Sequence, residues 1–294
     1  MRKTLLGAAF GVLATLIGSA AFAQTITVGG KGYTEQQLMA ELTSQYLRAK
    51  GFTVDKRAGI GTAALRQAQE SGQVDLYWEY TGTSLITFNK VADKLSAQAT
   101  YDKVKELDAG KGLVWLDPSK INSTYAIAMR ADTAKQKGIA SLSDLSAKVK
   151  GGAVLKFGSN AEFYARPDGL RPMEQLYGFE FGRENVVRMD SGLVAQALRD
   201  GQVDIGNILA LDGRVLSLDL VLLKDDKAYF PIYNSTPVVR KETLDRHPKL
   251  AGLLNAISAK LDDDKMRRLN AAVDLDKKSI EEVATDFLKS EKLI

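Results

Sequence analysis

The stretch "QAQESGQVDLYWEYTGT" runs from Gln67 to Thr83, and "QALRDGQVDIGNILALD" runs from Gln196 to Asp212. Both carry Gln-Ala, three free positions, then Gly-Gln-Val-Asp at the same spacing. In each, the first half reads as a helix stopped by glycine and the second as a strand. Upstream of the first copy, "TITVGG" (25–30) alternates like a strand. "YTEQQLMAELTSQYLRAKG" places Leu38, Leu42, Tyr46 and Leu47 at helical spacing, with Thr34 as its expected N-cap and Gly51 as its stop. "FTVDKR" is a second strand, "GTAALRQAQESG" a second helix and "VDLYWEY" a third strand. This βαβαβ order predicts a twisted, mainly parallel α/β sheet. The order returns around the second copy, with strands in "AVLKFGS", "NVVRMD" and "VDIGNILA" and helices in "DGLRPMEQLYG" and "SGLVAQALRDG". Two similarly ordered halves predict a two-lobed molecule. The tail, "KETLDRHPKLAGLLNAISAKL" to "SIEEVATDFLKSEKLI", is helical by pattern. Its stripe of Leu244, Leu250, Leu253, Leu254, Ile257 and Leu261 is a core face, not a cofactor site.

The first 23 residues read as a secretory signal. Arg2 and Lys3 precede the apolar run "LLGAAFGVLATLIGSA", which ends at Ala21-Phe22-Ala23, a small-x-small cleavage pattern. The chain has no cysteine, which excludes a lipid-modified cysteine and any disulfide framework. A freely soluble, periplasmic protein is the expectation. Roughly 270 residues remain, enough for two domains. Taking Arg2 and Lys3 from the 40 basic residues leaves 38 against 36 acidic ones. The charges are interspersed, so nucleic-acid binding has no support.

Catalytic patterns are thin. His247, the one histidine, sits beside Pro248 in a polar stretch, with no second histidine or cysteine for metal or triad chemistry. No metal, cofactor or catalytic residue is expected. Gly59-Ile60-Gly61-Thr62-Ala63-Ala64 fits a dinucleotide fingerprint but follows the second strand instead of the first. It is better read as a helix N-terminus able to line a cleft. Asp225-Asp226 and Asp262-Asp263-Asp264, beside lysines, read as solvated turns.

Open α/β sheets bind ligands at the C-terminal ends of their strands, where "YWEYTGT" lies. Tyr77 and Glu79 should face one side of that strand, Trp78 and Tyr80 the other. Val74, Leu76 and Trp78 are assigned to packing, Tyr80 and Thr83 to the crevice.

Six motifs together resemble a known family. "GGKGYTEQ", "GQVDLYWEYTGT", "NSTYAIAMR", "FGSNAEFYARPDGL", "YG" at 177–178 and "YFPIYNSTPVVR" look like the OpuAC-type substrate-binding proteins of ABC importers for glycine betaine, choline and related quaternary amines. The resemblance spans the chain after the signal segment, in order. It implies the periplasmic binding-protein fold, two α/β lobes with a hinge and an interlobe ligand cleft. Residues 24–123 and 233–294 would build one lobe and 124–232 the other, the chain crossing near "NSTYA" and "PIYNSTP". It also implies a monomer that captures a small cationic or zwitterionic ligand in an aromatic box and delivers it to an inner-membrane permease. Carried over by motif, Lys31 and Arg166 would face a ligand carboxylate, while Tyr80, Thr83, Tyr125 and Tyr233 would form the box. Tyr33, Tyr77, Tyr164 and Tyr177 are assigned to packing or the rim.

One departure stands out. The family often has an aromatic after its second "VD", whereas here Leu209 occupies the repeat position of Tyr80 and Asp212 that of Thr83. Asn207 is a possible added polar contact. A box lacking one aromatic wall leaves glycine betaine, choline, carnitine, ergothioneine, an amino acid or an opine open as ligands. An exported enzyme on the same scaffold is the reading from another class.

Overall fold

The computed structural model describes residues 25–294, and the expected signal segment lies outside them. Ten strands form two sheets. The strands of the first sheet are β1 (Ile26–Lys31), β2 (Val54–Ile60), β3 (Leu76–Tyr80), β4 (Leu113–Trp115) and, from the far end of the chain, β10 (Ser235–Arg240). The second has β5 (Tyr125–Arg130), β6 (Phe157–Ser159), β7 (Val186–Arg188), β8 (Ile205–Leu209) and β9 (Leu220–Leu222). Their orders are β2-β1-β3-β10-β4 and β7-β6-β8-β5-β9. In the first sheet β1 runs parallel to β2 and β3, while β10 is antiparallel to β3 and β4. In the second, β6 is parallel to β7 and β8, and β5 is antiparallel to β8 and β9. One plan is thus used twice. In each sheet the antiparallel strand is the one on which the chain arrives from the other lobe.

The repeated motif has a repeated physical role. The helices α1 (Thr34–Ala49) and α2 (Thr62–Glu70) flank the first sheet, and α2 ends at Gly72, whose φ of +82° belongs to the left-handed region. Its counterpart, Ser191–Arg199, ends at Gly201 with φ +69°. The next residue folds back in both, Gln73 N–H to the Ala68 carbonyl at 2.8 Å and Gln202 N–H to that of Ala197 at 2.9 Å. Each motif then closes with an aspartate that braces the neighbouring strand. Asp75 accepts from Thr27 N–H and Asp204 from Lys156 N–H, both at 2.8 Å.

Trp78, Leu76, Ile26 and Leu47 form the core of the first lobe, joined by Leu250, Leu254, Ile257 and Leu261 of the tail. The tail helix is broken at His247-Pro248 into Lys241–Arg246 and Leu250–Ser258, because proline cannot continue the hydrogen-bond ladder. His247 meets Phe52 edge-on, with ring centroids 5.7 Å apart. Phe157, Phe163, Met173 and Tyr177 centre the core of the second lobe. Leu211, just past β8, joins the core of the first lobe, so the lobes touch there as well as at the crossings.

The two crossings are tied together. Asn122 and Asn234 form an isolated antiparallel bridge, Ser123 N–H donates to the Tyr233 carbonyl at 3.1 Å, and Tyr233 N–H donates to Asn122 Oδ1 at 2.8 Å.

Two local expectations are corrected. Thr34 is not the cap of α1: the helix begins after Tyr33 without a side-chain cap, and the Thr34 hydroxyl donates to Asp274 Oδ1 at 2.7 Å. A carboxylate on another helix makes a stronger partner than a local backbone amide. The acidic pairs are not merely solvated turns. Asp225 accepts from the Tyr177 hydroxyl (2.6 Å) and from Tyr229 and Phe230 N–H, Asp262 caps the helix Asp263–Asp274, and Asp263 accepts from Asn122 N–H at 2.7 Å. Among the described residues no helix is long and apolar enough to cross a membrane, and no cluster of three metal-ligating side chains occurs.

Candidate functional site

β3 delivers Tyr80 to its C-terminal end, and the chain turns through Thr81-Gly82 into a short π-helical turn, Thr83–Phe88. A Cβ on Gly82 would lie 2.8 Å from two carbons of the Tyr233 ring, so this ring lies flush on the backbone because the residue is glycine. Tyr80, Thr83 and Tyr233 face a small cavity of about 30 Å³ between the lobes, together with Lys31 from the end of β1. Tyr125, Arg166 and Leu209 line it from the second lobe. Asn207 does not: it lines an adjoining chamber of about 150 Å³, sharing Tyr33, Asn160, Ser191 and Leu209 with the first. Side chains alternate along β8, so residues 207 and 209 share a face, and Asn207 lies one step deeper in the strand.

The charged groups are already engaged. Lys31 Nζ lies 2.6 Å from Glu79 Oε1 and 4.8 Å from the Tyr80 ring centroid. Glu79, wholly buried, also accepts from the Tyr77 hydroxyl at 2.8 Å and Tyr80 N–H at 2.7 Å. A ligand carboxylate approaching Lys31 therefore meets a lysine whose charge is largely balanced. Arg166 donates through Nε and Nη2 to Asp168, and weaker bonds of 3.3 Å link it to Thr83 Oγ1 and the Tyr233 hydroxyl in the other lobe. Its guanidinium also lies over the rings of Tyr233 (5.5 Å) and Tyr125 (5.8 Å). The Tyr233 hydroxyl is shared with Asp168 by a short hydrogen bond.

Behind Tyr80 stands a carboxylate with no cationic partner among the described residues. Glu35, 2% exposed, accepts from the Tyr80 hydroxyl at 2.6 Å and from Ser123 Oγ at 3.0 Å. Burial pushes its pKa up, only partly offset by these bonds. Gln36 Nε2 also donates to the Tyr80 hydroxyl, at 2.9 Å. Burial and the neighbouring Glu35 raise the Tyr80 phenol well above its ordinary value, so the ring stays neutral.

The walls are arranged differently in the two lobes. Tyr80 on β3 pairs with Ser235 on β10, whereas Leu209 on β8 pairs with Tyr125 on β5. In the first lobe the aromatic is on the inner strand; in the second it is on the crossing strand. The missing ring at 209 is therefore offset by its neighbour. Tyr125 stands edge-on to Tyr233, with centroids 6.1 Å apart.

Sequence reasoning missed Ser123, Asn160, Glu162 and Ser191 as lining residues, and Glu35 as the support of Tyr80. Asn160 and Glu162 lay inside the quoted "FGSNAEFY". Ser191 opens its helix as Thr62 opens α2, so the repeat itself was the available signal. Thr62, in the glycine-rich turn, donates to Glu162 Oε2 of the other lobe at 2.8 Å, so this helix start does reach the cleft. Tyr77 and Tyr177 are buried in packing, Tyr164 stacks under Arg188, and Tyr33 lines both chambers.

Residues 24–290 match the OpuAC family model, described as the substrate binding domain of ABC-type glycine betaine transport systems. A Pseudomonas aeruginosa protein named glycine-betaine-binding protein is 46% identical over 278 residues, which is 92% of this chain and 89% of that one. The Escherichia coli glycine betaine-binding protein YehZ is 34% identical over 276 residues, 91% of this chain and 90% of its own. A crystal structure titled as a glycine betaine/carnitine/choline ABC transporter superposes with a TM-score of 0.73 at 25% identity, over 91% of this chain and 99% of that chain.

Proposed function

The chain belongs to the OpuAC family of substrate-binding components of ABC importers, and from that membership we propose that it captures a small quaternary-ammonium solute between two closing lobes. The observation that carries the reading is the convergence of Tyr80, Tyr125 and Tyr233 with Arg166 on one interlobe cavity. A methylated cation donates no strong hydrogen bonds, so ring faces must replace its water, at about 0.5–2 kcal/mol per good contact. Arg166 supplies the fork for a carboxylate, sharing it with Asp168. Lys31, balanced by Glu79, packs its ammonium against the Tyr80 ring, Thr83 helps to seat Arg166, and Leu209 is an aliphatic wall.

The moving bodies are residues 24–123 with 233–294, and residues 124–232, turning about the tied crossings. A cavity of about 30 Å³ holds one or two waters. A trimethylammonium group therefore enters a more open form and is enclosed as the lobes approach. No bond is made or broken. The mature protein works as a periplasmic monomer, exported by its N-terminal signal, and docks on an inner-membrane permease.

Isothermal titration against glycine betaine and choline tests the assignment. Micromolar to submillimolar affinity is expected, with at least a tenfold loss in Tyr80→Ala. Absence of binding by either at millimolar concentration sinks the ligand class.

A further inference from the structure

The larger chamber behind Leu209 is lined by two asparagines, one from each lobe, that each leave one polar atom unanswered among the described residues. Asn207, 1% exposed on β8, accepts from Asn160 N–H through Oδ1, while its Nδ2 has no partner among the described residues. Asn270, 5% exposed on the helix Asp263–Asp274, donates from Nδ2 to the Leu211 carbonyl, while its Oδ1 has none. The backbone partners fix both amide orientations, since a backbone N–H requires an acceptor and a carbonyl a donor. What remains is a buried donor on the second lobe and a buried acceptor on the first, on two residues that both line the same space of about 150 Å³. Native interiors rarely leave such groups unpaired.

We propose that this chamber is a second subsite, taking a neutral arm of the ligand that both accepts and donates a hydrogen bond, such as a hydroxyl or an amide. The proposal rests on the quaternary-ammonium reading above and extends it. The chamber's charges exclude an anionic arm: Glu35, Asp212 and Asp274 face a single Arg214, which Asp212 holds at 2.6 Å. A carboxylate on the ligand belongs instead to Arg166, across the smaller cavity. The chamber shares Tyr33 and Leu209 with the box. The short residue at 209, where a ring would intrude, leaves passage from one to the other. An arm reaching Asn207 and Asn270 together bridges the lobes, so the closed form alone makes both bonds.

The test compares two trimethylammonium carboxylates that differ by one hydroxyl, carnitine and γ-butyrobetaine, with glycine betaine as the short reference, by isothermal titration on the full mature chain. The expected result is that carnitine binds at least tenfold more tightly than γ-butyrobetaine, and that this ratio falls toward one in Asn207→Leu. Wild-type affinities for the pair within threefold of each other overturn the subsite while leaving the quaternary-ammonium reading intact, as does an unchanged ratio in folded Asn207→Leu. Should that variant not fold, the wild-type pair decides. Failure of all three compounds to bind overturns the underlying reading and the subsite with it.

Discussion

Asp168 grips Arg166 at two points, Nε to Oδ1 at 2.7 Å and Nη2 to Oδ2 at 2.8 Å, two residues apart in the chain. The arginine is thus pre-oriented with one edge committed, and its Nη1 is held by Glu162 Oε1 at 3.1 Å and Thr83 Oγ1 at 3.3 Å, so a ligand carboxylate must displace these partners at Nη1. Arg166→Ala should lower affinity for a betaine ten- to hundredfold, the worth of a charge-assisted hydrogen bond of about 1.5–3 kcal/mol. Choline, which has no carboxylate, should lose much less. Parallel titrations with the two ligands check this. Equal losses would assign Arg166 to lobe closure instead of carboxylate recognition.

Gly82 lies against Tyr233 with no room for a side chain. Gly82→Ala should push the ring from the cleft and reduce affinity at least tenfold. The added methyl meets ring carbons at 2.8 Å and the Ile232 carbonyl oxygen at 2.9 Å, and neither can yield without moving the crossing segment. Titration alongside circular dichroism separates a local from a global effect.

Away from the cleft, Asp108 accepts from Arg66 at two points, from Trp115 Nε1 at 2.8 Å and from Ser84 Oγ at 2.9 Å, wholly buried. Asp108→Ala leaves Arg66 buried without its main partner and should cost about 3–5 kcal/mol of stability, read by urea denaturation. Burial opposes ionisation of Asp108, but the hydrogen bonds and charge of Arg66 prevail and hold it well below the ordinary carboxylate range. Its contribution is therefore present above that range and is lost as pH falls through the depressed value.

Glu35 has the opposite sign. Burial raises its pKa, so the folded state takes up a proton before the unfolded chain does, and stability falls as pH rises through the window above the ordinary carboxylate value. Tyr80, Ser123 and Asn270 oppose the shift by hydrogen bonding, and Asp263 reinforces it. A bound cation beside Tyr80 favours the charged form. Affinity for choline should therefore rise with pH across that window in the wild type and stay flat in Glu35→Gln, as measured by titration at several pH values.

Much of the architecture was legible because it is local. The Gly-Gln-Val-Asp motif carries its helix stop, its left-handed glycine and its bracing acid within a few residues, so both lobes announced themselves. The three-residue strands β4 and β9 did not: they lie outside the repeated βαβ order that exposes the equally short β6 and β7. The pairing of β10 with β3 joins segments more than 150 positions apart, which no local pattern records. Glu35 and Gln36, polar residues in the first turn of α1, carry no sign in the sequence that both are buried behind Tyr80. Their environment is created by β3, and a polar residue's burial depends on what the rest of the chain brings to it. Lys31 was expected to await a carboxylate. Its partnership with Glu79 was hidden for the same reason, the two lying 48 positions apart.

Two of the three tyrosine rings, Tyr125 and Tyr233, sit on the crossing segments, whose Asn122–Asn234 bridge ties them together. Near a pivot, rotation produces little displacement, so these rings form a seat that persists while the cleft is open. Asn207 and Asn270 stand on different lobes, so under the proposed closure both meet one ligand group only when the lobes have come together. On the proposed reading, capture and inspection thereby become separate events: the cation is held first, and whatever extends from it is read as the lobes close.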